Sequence, residues 1–133
     1  MSYFGTTIND SPTIAGKAAA ALSGAAFLAV KYNSDGNIAL ASTAGENVLG
    51  LLGAEEGDHA AGDTVSVQIK ECGLWKAGAA VAAGAELATN AAGKCITATA
   101  GAFILAIALE AASAADEVIQ VQIVKAGYKP ATA

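Results

Sequence analysis

Two stretches of this chain alternate apolar and polar side chains with a period of two. In "GDTVSVQIKECG" (62–73), Val65, Val67 and Ile69 fall on one face and Thr64, Ser66, Gln68 and Lys70 on the other. In "DEVIQVQIVKAG" (116–127), Ile119, Val121 and Ile123 share a face. β-Branched residues in such alternation predict strands with one buried side. Two alanine-rich runs, "AGKAAAALSGAA" and "LWKAGAAVAAGAEL", look helical by propensity. Gly16, Gly24, Gly78 and Gly84 interrupt them, and glycine costs about 1 kcal/mol against alanine inside a helix. Larger apolar residues are too sparse there to draw a 3.6-residue stripe. A short helix over 15–23 is the one helical element the pattern allows.

The two alternating stretches are near copies. Val67 to Val121 is 54 positions, as is Gly73 to Gly127. Further upstream, "YNSDGNIALAS" (32–42) matches "TNAAGKCITAT" (89–99), with Asn33 to Asn90 and Gly36 to Gly93 both 57 apart. "AGENVLGLLGAEE" (44–56) matches "AGAFILAIALEAA" (100–112), with Val48 to Ile104 at 56. Turns tolerate deletions and strands do not, which accounts for the shrinking offset. Each half therefore predicts about four strands: 27–32, 37–42, 47–53 and 62–73, then 86–89, 94–99, 103–109 and 116–127. Asp35-Gly36 is a hairpin signal, because glycine accepts positive φ.

The expected fold is all-β and mainly antiparallel, a compact β-sandwich or barrel built from a duplicated unit, with an extended N-terminal arm. Residues 1–24 form the arm and a small-residue lead-in. Residues 25–128 form one β domain, with repeat A at 27–73 and repeat B at 84–127, and 129–133 are a tail. Neither half alone holds enough large apolar residues for a core. Together they offer Val30, Leu40, Val48, Leu51, Val67, Ile69, Leu87, Ile96, Ile104, Ile107, Val121 and Ile123.

The 133 residues suit one domain. Seven basic against twelve acidic residues give a net charge of -5. Without clustered Lys and Arg, nucleic acid is not an expected partner. Hydrophobic residues reach 54%, but alanine supplies about a quarter of the chain. The longest apolar runs, such as "AFILAIAL" (102–109), fall far short of the roughly 20 residues that span a bilayer, so no membrane is expected. "MSYFGTTINDSPT" shows no signal-peptide pattern. Cys72 and Cys95 lack disulfide-framework or metal spacing and read as free thiols in a reducing cytosol.

Candidate chemistry is thin. "AEEGDHAAGD" gathers Glu55, Glu56, Asp58, His59 and Asp63 in one loop and could ligate a cation, although calcium takes six to eight oxygens. The plainer reading is a solvated loop, since the matching "EAASAADE" keeps little of the charge. Nucleophilic catalysis would rest entirely on His59, the single histidine; both cysteines sit in strand patterns and suit small core residues. Lys94, after a hairpin glycine, has the placement of a biotinyl or lipoyl attachment lysine, but no methionine adjoins it, and an ordinary turn lysine fits as well. No cofactor and no catalytic or metal residue is expected. Trp75 and Tyr128 follow equivalent glycines and could cap the core or anchor a subunit contact. Tyr3, Phe4 and Ile8 lie in the arm, which is expected to dock on a partner.

Two long stretches carry a resemblance: residues 50–101, "GLLGAEEGDHAAGDTVSVQIKECGLWKAGAAVAAGAELATNAAGKCITATAG", and 104–123, "ILAIALEAASAADEVIQVQI". In order and spacing they resemble the capsid decoration, or cement, proteins of tailed bacteriophages, over roughly residues 25–125. The arm does not match. The resemblance implies a homotrimer with no active site, made in the host cytoplasm. It would sit on the outside of an expanded icosahedral capsid and bridge major capsid subunits.

Overall fold

The computed structural model describes residues 11–131. Among the described residues it contains ten strands and no helix. They are β1 (Thr13–Lys17), β2 (Ala29–Tyr32), β3 (Ile38–Leu40), β4 (Gly50–Leu52), β5 (Thr64–Gln68), β6 (Glu71–Lys76), β7 (Glu86–Thr89), β8 (Cys95–Thr97), β9 (Phe103–Ala108) and β10 (Val118–Tyr128). They form two antiparallel five-stranded sheets, ordered β1-β5-β4-β2-β3 and β6-β10-β9-β7-β8. The second order is the first with every strand number raised by five.

The recurrence extends to single hydrogen bonds. Asn33 and Asn90 each fold a hairpin turn in the same way. The Oδ1 of Asn33 accepts the amides of Asp35 and Asn37, and that of Asn90 accepts those of Ala92 and Lys94. Gly36 and Gly93 hold φ of 79° and 81° in those turns. Ala18 bridges Ile38 as Ala77 bridges Cys95, and Leu22 bridges His59 as Val81 bridges Ala112. One parallel bridge per sheet is too little to close a barrel, so the architecture is the sandwich.

Each unit has five strands rather than four, because two elements differ from the sequence expectation. Over 15–23 there is no helix: the lead-in forms β1, pairing Ile14 with Val67 and Gly16 with Val65. Gly16 suits this strand because a Cβ there would meet the Ile38 side chain at 2.6 Å. The stretch 62–73 is not one strand either. The chain turns at Glu71, whose φ is 70°, and leaves the first sheet for β6 in the second. The equivalent residue, Lys125, also has positive φ, 46°, but there β10 only bulges and then continues along β9.

A loop cover of Ala18, Leu22, Ala25 and Leu28 packs with Val30, Ile38, Leu52, Val65 and Val67 of the first sheet. The larger cluster contains Trp75, Leu87, Leu105, Ile119 and Val121 from the second half, together with Ala29, Ala41, Val48 and Leu51 from the first, and so joins the sheets. Of the expected core, Leu40, Ile69, Ile96 and Ile107 are only half-buried. Leu40 and Ile96 lie on edge strands, Ile69 lies just past β5, and Ile107 stands opposite exposed Gln122.

Candidate interaction surfaces

The acidic loop is built for bracing. Asp58 accepts the amide of Gly24 at 3.1 Å. The Glu56 carboxylate holds the His59 ring at 2.8 Å and the Ser66 amide at 3.2 Å. Asp63 accepts the Ala60 amide at 2.9 Å. Glu55 is exposed. The second half repeats two of these braces: Glu110 accepts the Gln120 amide and Glu117 the Ser113 amide, each at 3.0 Å. Among the described residues no three His, Cys, Asp or Glu side chains form a group that could hold a metal ion.

Lys94 is half-buried, and its ammonium lies 2.6 Å from the Asp116 carboxylate. That hydrogen bond and charge hold the Asp116 carboxyl below its ordinary range. Lys94 thus ties the β7–β8 turn to the loop before β10. Burial pushes the Cys95 thiol up to about 12, which leaves it un-ionised at neutral pH. Cys72 is exposed on β6, opposite Gln122. Three clefts have volumes of about 200, 310 and 380 Å³, and the third is lined by Thr13, Ser66, Glu55 and Glu56, with Glu56 already engaged by the His59 ring and the Ser66 amide. No helix of the described residues is long and apolar enough to cross a membrane.

Surfaces remain. Trp75 offers none, because it is fully buried and its indole Nε1 donates to the Gly93 carbonyl at 2.8 Å. Tyr128 is 60% exposed, its ring edge-on to Phe103 with centroids 5.4 Å apart. Tyr3, Phe4 and Ile8 lie outside the described residues. Sequence reasoning missed a third surface, the outward side of the second sheet. There Leu74 and Leu109 flank Gln120, with Val118 beside them on β10. The signal lay at the polar-facing positions of the alternating strands, where Val118 replaces the threonine of the first copy.

The described residues thus present a sandwich whose second sheet carries exposed apolar side chains. A family model for phage cement proteins matches residues 14–123, and the chain belongs to that family. It is a capsid-associated structural protein. No curated protein matches it. Among solved structures it is similar to the head fiber gp8.5 N base in bacteriophage phi29. The two share 16% identity over 88% of this chain and 97% of that one, with a TM-score of 0.62. At that identity the likeness is one of fold.

Proposed function

We propose that this protein is a decoration protein. It binds the outer surface of an icosahedral phage capsid as a homotrimer and stabilises contacts between major capsid subunits. The cement-family match across 14–123 carries this reading. A net charge of -5 argues against the packaged nucleic acid as its partner. The phi29 neighbour belongs to a fiber of the phage head, a further support for a place on the head. Tyr128, with Tyr3, Phe4 and Ile8 of the arm, is proposed to contact the shell or a neighbouring subunit. Contacts repeated across a lattice gain avidity, so each can be weak.

The test is co-sedimentation of the purified protein with capsids that lack it, in compact and expanded forms, followed by imaging. Saturable binding to expanded shells and a raised disruption temperature are expected. Failure to bind expanded shells of its own phage overturns the reading.

A further inference from the structure

Leu74, Leu109 and Val118 are 44%, 44% and 37% exposed. They surround Gln120 on the outward face of the second sheet. Leu74 is its partner across β6–β10, and the Leu109 amide donates to its carbonyl at 2.9 Å. Val118 sits two residues earlier on β10, opposite Lys76.

The first sheet supplies an internal comparison. Its rows have the same register: Ala15 opposite Ser66, Thr64 opposite Lys17, and Gly53 next along β4 from Leu52, which pairs with Val67. Even the brace recurs, Glu56 on the Ser66 amide and Glu110 on the Gln120 amide. At the three matched positions the first sheet has Ala15, Gly53 and Thr64 where the second has Leu74, Leu109 and Val118. The scaffold therefore forms with small or polar residues at these positions. The part of a large apolar side chain left in water adds nothing to the fold of one chain, since only burial stabilises it. Those exposed parts are surplus to folding and fit an interface.

The occupant follows from charge. Of the other outward residues of these rows, Cys72, Gln120 and Gln122 are uncharged, and Glu86, at the far end of the Cys72–Gln122–Ile107 row, is ion-paired with Lys129 at 2.6 Å. Glu110 is engaged with the Gln120 amide, and Lys76 lies at the margin beside Val118. Each copy of the chain carries -5, so copies meeting through a charged face would desolvate like charges. In a trimer a patch on the threefold axis meets its own kind, and there an uncharged apolar patch is complementary to itself. We infer that this face is buried between copies of the chain. The inference deepens the homotrimer of the proposed function and rests on it; capsid binding is measured separately.

The test compares the full chain with two variants by sedimentation equilibrium. One combines Leu74→Ala, Leu109→Ser and Val118→Thr, giving the second sheet the character of the first. The other is Leu74→Lys alone, which decides the matter if the triple variant does not fold. Circular dichroism and a cooperative melt establish folding. The expected result is a trimer mass for the natural chain and a monomer mass for the folded variants. Alkylation of Cys72 should be slow in the trimer and fast in the variants, because Cys72 lies on the same face. A folded variant that keeps the trimer mass overturns the inference, as does a natural chain that stays monomeric. A variant that stays trimeric but no longer binds expanded shells assigns the face to the coat protein and also overturns it. If the natural chain is a trimer through this face yet does not bind shells, the capsid reading alone fails.

Discussion

The indole Nε1 of Trp75 and the carbonyl oxygen of Gly93 are 2.8 Å apart, and the same oxygen accepts the amide of Ala29 at 2.8 Å. Trp75 and Gly93 belong to the second unit and Ala29 to the first. One carbonyl therefore fastens the core tryptophan and the neighbouring sheet together.

That relationship separates two equivalent glycines. A Cβ at Gly36 would meet nothing within 4 Å, while one at Gly93 would meet the Ala29 oxygen at 3.2 Å and Leu28 Cβ at 3.4 Å. Gly36→Ala is expected to cost about 1–2 kcal/mol from left-handed backbone alone. Gly93→Ala should cost about 1–3 kcal/mol more from crowding at the junction. Trp75→Phe, which removes the donor, should cost about 1–2 kcal/mol. Urea midpoints of the three variants check the order, and equal losses at the two glycines contradict it.

Acid should loosen the junction through Glu46. Its carboxylate accepts the amides of Ser42 and Thr43 at 2.7 and 2.8 Å and lies 2.9 Å from the Lys31 ammonium. Next to it, Gly45 donates to Thr89 and accepts from Phe103 in the second sheet. Burial raises the Glu46 pKa, but Lys31 and the two amides outweigh it, and the net shift is downward. A carboxyl with a lowered folded pKa contributes fully above its unfolded value, about 4.3, and loses that contribution as pH falls through the folded value. Glu46→Gln should cost about 1–2 kcal/mol at neutral pH. Its deficit against the natural chain should shrink below about pH 4. A deficit independent of pH, measured by urea unfolding across this range, would show that the charge is not what matters.

Cys95 should report global unfolding. Its thiol is buried and pushed up to about 12, so almost no thiolate reaches solvent from the native state. Alkylation of Cys95 in a Cys72→Ser background should follow the unfolding transition as urea rises. Reaction at a rate indifferent to urea would mean local opening around β8.

Much of this was legible in the chain. Period two gave the buried faces of Val65, Val67, Ile119, Val121 and Ile123. The offsets of 57, 56 and 54 mark positions that make equivalent turns and bridges in the two sheets. β1 was hidden because Ala15 and Gly16 carry little side chain to pattern, and its place is set by Val65 and Val67 some fifty residues on. The break at Glu71 was hidden because Val-Gln-Ile reads as continuous into Lys70. Only the tertiary junction reveals that one copy leaves its sheet and the other stays. Trp75 could be read as core or as contact, and the carbonyl that holds it belongs to a turn eighteen residues away.

The strand orders also govern how the molecule comes off a ribosome. β1 has one partner in its sheet, β5, and β6 has one, β10. In each unit the strand made first must wait for the strand made last. Ile14 has no strand partner until Val67 has emerged, and Trp75 has none until Ile119 has. Closing such long loops comes at an entropic cost before any contact rewards it. Nascent chains are therefore expected to expose the core tryptophan until β10 has emerged. Crowded translation of this protein is then a race between β10 arriving and neighbouring chains sticking together.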